Sequence, residues 1–162
     1  LNFLLDTNVI SEWVKPHPNE AVVRWIAEAD EDRIYLSAVS IAEISRGVAK
    51  MDAGFRRTRL ETWLRHDLPL RFEGRVIVID FAIADCWGSL VEQQRKAGRT
   101  LHIMDGFLAA TAATRELTLV TPNTRDFAGL GFEVINPWPE DALVQNAARA
   151  IAAPAEVQDL LR

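Results

Sequence analysis

The sequence contains a single cysteine, Cys86, which rules out an internal disulfide framework and any zinc site built from several thiolates. Its three histidines, His17, His66 and His102, show no ligand-like spacing, and none is assigned a role. A basic surplus is missing too. Lys and Arg number 18 against 23 Asp and Glu, and a net charge of −5 excludes a protein that coats nucleic acid by bulk charge. Long apolar runs are also absent. The opening run from Leu1 to Leu5 is interrupted by Asn2 and stopped by Asp6, too short for a signal-peptide core or a membrane span. The chain is therefore expected to be neither exported nor anchored, and its lone thiol suits the cytoplasm.

What remains is 162 residues, 49% of them hydrophobic. A chain of this size buries about 70% of the surface its unfolded form exposes, enough for one cored domain without staples. Residues 1–139 carry the alternating pattern of that domain, and 140–162, rich in alanine, reads as a helical C-terminal extension.

Within the first segment strands alternate with helices. Asn2 to Leu5 reads as a short buried strand, and Asp6-Thr-Asn8 as the turn that caps a helix from Val9 to Lys15, stopped by Pro16 and Pro18. Glu20 to Ala29 has helical spacing, Arg33 to Leu36 reads as a strand, and Ile41, Ala42, Ile44 and Val48 mark an amphipathic helix ending near Lys50. A polar helix from about Gly54 to Arg65 follows. Val76 to Ile79 is the clearest strand, a β-branched run suited to burial on both faces. Helices over Phe81 to Ala97 and Met104 to Arg115, then strands over Leu117 to Thr121 and Glu133 to Ile135, complete a three-layer α/β domain with a mostly parallel sheet.

In such sheets ligands bind beyond the carboxyl ends of the strands. Asp6 follows the first strand, Glu43 lies one turn into the helix after Ser37, and Thr121, Asn123 and Asp126 follow the strand ending near Val120. The helix carrying Asp105 must deliver the chain to the opposite edge, where the next strand begins, so its N-terminus belongs at the carboxyl edge. Asp6, Glu43, Asp105 and Asp126 can therefore meet among apolar neighbours. Carboxylates gathered that way resist ionisation unless a cation neutralises them, and oxygen ligands without a Cys or His cluster favour Mg²⁺ or Mn²⁺. The chemistry that fits is metal-assisted cleavage of a phosphate ester. Each acid also has a plainer role open to it: Asp6 and Asp105 as helix caps, Glu43 as a partner of Arg46, Asp126 as a turn residue. Asn8 and Thr121 are placed to orient a carboxylate.

Between Phe55 and Arg75 the arginines 56, 57, 59, 65, 71 and 75 outnumber the acids. Arginine forks grip backbone phosphates, which reconciles an acidic protein with a polyanionic substrate, and Arg56, Arg57 and Arg59 are the candidates for RNA contact. A solvated helix face laced with ion pairs is the other reading.

Leu5-Asp-Thr-Asn-Val-Ile-Ser11, Ser40-Ile-Ala-Glu-Ile-Ser-Arg-Gly47, Met104 to Ala112, Thr121-Pro-Asn-Thr-Arg-Asp-Phe127 and Asn136-Pro-Trp138, in that order and spacing, resemble PIN-domain proteins of the VapC and FitB kind. The resemblance implies a Mg²⁺- or Mn²⁺-dependent endoribonuclease, the toxin of a bacterial toxin–antitoxin pair, blocked by a small antitoxin. It matches Asp6, Glu43 and Asp105 to the family's core acids, with Asp6 and Asp105 as direct metal ligands. One departure is Asn123, which stands where members often carry a fourth acid; Asp126, three residues on, is the candidate to replace it, and the Asn123 amide otherwise offers an uncharged oxygen. The apolar helices suggest a homodimer. Two other functions stay open: an acidic-pocket phosphatase or phospho-receiver, against which no lysine follows a strand end, and a catalytically silent module that binds RNA or protein.

Overall fold

The computed structural model describes residues 1–139; the extension over 140–162 lies outside the described residues. Its sheet has five strands, all parallel: β1 (Phe3–Leu5), β2 (Ile34–Ser37), β3 (Val76–Ile77), β4 (Thr118–Val120) and β5 (Val134–Ile135), in the order β3-β2-β1-β4-β5. Consecutive side chains on a strand face opposite sides, and both sides here are dry. Leu5 and Val120 enter one core with Val9, Ile10, Ile44, Leu68 and Phe72, whereas Leu4 and Leu119 enter the other with Ile83, Leu108, Ala109 and Phe127. The expected three layers follow from that alternation.

The first core is covered by α1 (Thr7–Glu12), α2 (Glu20–Glu28), α3 (Ala38–Lys50), α4 (Phe55–Thr62) and α5 (Leu68–Arg71), the second by α6 (Phe81–Lys96) and α7 (Ile103–Arg115). Local chemistry explains where the helices start. The side chains of Asp6, Asn19, Ser37 and His102 each accept a hydrogen bond from a backbone N–H of the first turn that follows, satisfying donors a helix leaves unpaired. α7 ends at Glu116, whose φ of 54° is left-handed, and Leu117 N donates back to Ala112 O at 2.9 Å. Glu12, buried at the end of α1, accepts from Lys15 Nζ and from Asn19 N, which ties the proline-bearing loop to α2.

The polar helix expected from Gly54 runs on past Arg65. Five residues, Trp63–Asp67, form a wider π-helical turn that joins α4 to α5. Pro69 supplies the physical reason: it lacks an N–H, and its ring crowds the carbonyl four residues back, so the preceding turn opens. Val76 to Ile79 is likewise shorter as a strand than its composition suggests. β3 lies at the edge of the sheet, its only partner β2 ends opposite Ile77, and Val78 and Ile79 stand exposed.

The strand order places β1 between β2 and β4, so the chain reverses its direction of sheet growth beside β1. The crevice beyond the carboxyl ends of β1 and β4 is where an open parallel sheet receives ligands.

Candidate active site

Asp6 leaves the end of β1 and is buried, with its backbone N–H paired to Val120 O at 3.0 Å. Its carboxylate caps α1 through Asn8 N, accepts from Asn8 Nδ2 at 3.4 Å, and accepts from the hydroxyl of Thr121 just past β4. Asn123 N in turn donates to Thr121 Oγ1 at 3.1 Å, so the loop after β4 is folded around the residue that orients Asp6. Capping and site-building coexist at Asp6. Burial raises its pKa, and the donors from Thr121, Asn8 and Thr7 oppose that rise.

Glu43 reaches the same corner from α3. Its Oε2 accepts from Thr7 Oγ1 at 2.6 Å, a contact that spans 36 residues of chain. Burial raises its pKa; the Thr7 hydroxyl opposes this, the charge of Asp6 adds to it, and His102 and Arg46 counter it. Asp105 lies in the first turn of α7, half-buried; its pKa is pushed up to about 6, first by burial, then by the charge of Asp6 with smaller additions from Glu43 and Asp126, and His102 opposes the shift. Asp105 does not cap its helix, because His102 does. Asp126 is exposed in a turn closed by its N–H on Asn123 O at 3.1 Å.

Asp6, Glu43 and Asp126, from different places in the chain, thus each bear on Asp105. Among the described residues no three Asp, Glu, His or Cys side chains come together as a metal-binding group. The donor set still suits Mg²⁺ or Mn²⁺: it consists of hard oxygens, burial and the neighbouring acids raise the pKa of Asp105, and Mg²⁺ keeps most of its waters and needs only one or two carboxylates.

Two residues at this corner escape sequence reading. Thr7 is adjacent to Asp6, but its reach to Glu43 depends on how α1 and α3 pack. His102 has the signal of an N-cap position and nothing that announces its approach to two acids. The arginines divide. Arg57 donates to Glu61 Oε1 and to Met51 O, both at 2.9 Å; Arg71 forks onto Glu31 and stacks over Trp13; Arg75 donates to the carbonyls of Ile34 and Arg71. Arg56 and Arg59 are exposed on α4.

The family model described as PIN domain matches residues 3–133. This chain belongs to the PIN-domain family. The match covers every strand or its core except the last, β5, and includes all four acids. This PIN domain is 37% identical over 135 residues to the VapC ribonuclease Y4jK of Sinorhizobium fredii, covering 83% of this chain and 96% of that protein. It is 36% identical to Toxin FitB of Neisseria gonorrhoeae over 83% of this chain and 97% of that one. The solved FitAcB structure from the same organism superposes with a TM-score of 0.79 at 36% identity, over 84% of this chain and 98% of that chain.

Proposed function

We propose that this PIN domain is an endoribonuclease, the toxin of a toxin–antitoxin pair, and that it hydrolyses RNA phosphodiester bonds with Mg²⁺ or Mn²⁺ at the acidic edge. The observation that supports the reading is that Asp105, at the start of α7, is pushed to a pKa of about 6 by burial and by the charges of Asp6, Glu43 and Asp126. Relatives that are named ribonuclease and toxin, aligned over most of both chains, support the substrate and the biological setting.

Asp6 and Asp105 would hold the ion, the former aimed by Thr121 and Asn8. When bound, the ion supplies positive charge that stabilises the extra negative charge of the phosphorus centre in the transition state. Glu43, fixed by Thr7 and raised in pKa, takes the proton of the attacking water as the new oxygen–phosphorus bond forms in line with the bond that breaks. The leaving oxygen is protonated from solvent. Asp126, whose charge bears on Asp105, and Asn123 in the same loop are the candidates to complete the ion's oxygen ligands. Arg56 and Arg59 are the exposed candidates for RNA phosphates, and Arg57, already engaged with Glu61, contributes less. A small antitoxin protein is the expected inhibitor, a homodimer the expected assembly, the cytoplasm the expected site of action, and 140–162 an appendage to the nuclease domain. Among the described residues no helix is long and apolar enough to cross a membrane.

Incubation of the purified full chain with structured RNAs tests the reading. Cleavage should require Mg²⁺ or Mn²⁺, stop with EDTA, and fall at least about a hundredfold in Asp6→Asn and in Asp105→Asn. Cleavage that survives both substitutions excludes this site, and a covalent phosphoprotein points to a phosphatase or phospho-receiver instead.

A further inference from the structure

α6 and α7 pack antiparallel. Asp80, which caps α6, pairs with Arg115 at the end of α7, and further along Val91 Cγ2 lies 3.3 Å from the position a Cβ would take on Gly106. α7 in turn ends where β4 begins, since Leu117 N, one residue before the strand, donates to Ala112 O at 2.9 Å. The first turn of α7, with Asp105, therefore stands at the carboxyl edge of the sheet, and the basic last turn of α6 ends beside it. Gly98, with a left-handed φ of 73°, turns the chain between them, and Arg99 N donates to Gln94 O at 2.9 Å. Leu101, two residues on, is buried in the second core. A second loop at this edge has the same construction. Thr121 donates to Asp6, Asn123 N donates to Thr121 Oγ1, and Asp126 N closes the turn on Asn123 O. Arg125 is exposed in that turn, and Phe127, two residues on, is buried in the same core as Leu101. One core thus holds the backbones of both arginines at the edge that carries Asp6 and Asp105.

The guanidinium groups are also open. Arg95 forks onto Glu92 at 2.8 and 2.9 Å and Lys96 lies 3.9 Å from the same carboxylate, whereas neither Arg99 nor Arg125 has an ion-pair partner among the described residues. Arg56 and Arg59 stand on α4, which is entered from the end of α3 remote from Glu43. An acidic edge repels the polyanion it is to cleave, and cations that grip neighbouring phosphates offset that repulsion while fixing the register of the strand. We propose that Arg99 and Arg125 bind the RNA backbone phosphates that flank the one being cleaved, and so position the strand over Asp6 and Asp105. The inference rests on the nuclease reading above and names how that site holds its substrate. The short tethers to Leu101 and Phe127 keep the ordering cost low, because only the two side chains remain to be fixed.

The salt dependence of binding counts phosphate contacts directly. Full-length Asp6→Asn protein is titrated with a fluorescein-labelled single-stranded RNA of about 20 nucleotides, followed by anisotropy over a series of NaCl concentrations. Arg99→Gln and Arg125→Gln should each flatten the slope of log K against log salt by about 0.7, and together by about 1.4. Arg24→Gln, which removes the same charge from an exposed position on α2, should leave the slope unchanged. With Asp6 restored and Mg²⁺ present, Arg99→Gln and Arg125→Gln should each lower kcat/KM on structured RNA about tenfold and melt within about 2 °C of the parent. A parental slope in either variant overturns the inference and leaves the nuclease reading standing. So does a flattening in Arg24→Gln as large as theirs, which would mean bulk charge alone, or a failure of the Asp6→Asn chain to bind RNA. Cleavage that persists in Asp6→Asn overturns the nuclease reading itself, while the slopes still report on the two arginines.

Discussion

Asp105 is an acid whose ordinary pKa of 3.8 is raised to about 6 by burial and by neighbouring negative charge. The folded chain therefore binds that proton more tightly than the unfolded chain does. Without a divalent ion, the stability contributed by protonated Asp105 is complete below about pH 4, is lost as pH rises through about 6, and stays lost above it. Asp105→Asn should accordingly raise the stability of the EDTA-treated protein by about 1 to 2 kcal/mol near neutral pH, after allowance for partial exposure, and change little near pH 4; thermal melts at both values check this. Thr121 gives a second prediction at the same scale. Its hydroxyl donates to Asp6, so Thr121→Val should leave a buried carboxylate oxygen short of a donor and weaken Mg²⁺ binding about 10- to 100-fold by calorimetry, with the sheet intact by circular dichroism. Asp6, Glu43 and Asp105 were visible in the sequence because each follows a strand or opens a helix at a position topology assigns to one edge. Thr7 and His102 were not, because their partners lie 36 residues or more away, or across a helix contact, and only packing brings them close.

At the scale of the element, α7 is held in place by a close contact at Gly106. A Cβ there would lie 2.8 Å from the indole nitrogen of Trp87, which itself donates to Ile103 O at 3.3 Å and stacks on Phe107 with centroids 4.9 Å apart. Gly106→Ala should push Trp87 off this turn and displace Asp105 with it, costing about 1 to 2 kcal/mol in denaturant unfolding and weakening metal binding in the same variant. Most element identities were legible from hydrophobic period and capping residues, since Ser37, Asn19 and Asp6 start helices by local hydrogen bonds. Two element ends differ from the expected ones, one for a tertiary and one for a local reason. Val78 and Ile79 carry strand composition but have no strand paired beyond Ile77, and the turn before Pro69 widens because α4 runs on into a residue that lacks an N–H.

At the scale of the whole molecule, the proposed cation at the carboxyl edge would couple its binding to the stability of the fold. Mg²⁺ at about 100 times its Kd should stabilise the fold by about 2.7 kcal/mol. The rise in melting temperature should be larger near pH 7.5 than near pH 5, because protonated Asp105 competes with the ion. A rise independent of pH would place the ion elsewhere. Strand and helix alternation announced the layered, mostly parallel sheet, whereas the strand order and its reversal beside β1 are set by which strands pair in the fold. The division of Leu4 and Leu5 between two cores is likewise visible only in the folded sheet. The bond between Asp6 and Thr121 closes 115 residues of chain. A ribosome must therefore release most of the domain before Asp6 meets Asp105 or Thr121, and a half-made copy holds Asp6 and Glu43 without Asp105 or Asp126. The proposed pair of metal ligands is therefore assembled late in synthesis, when the last strands of the sheet come in beside β1.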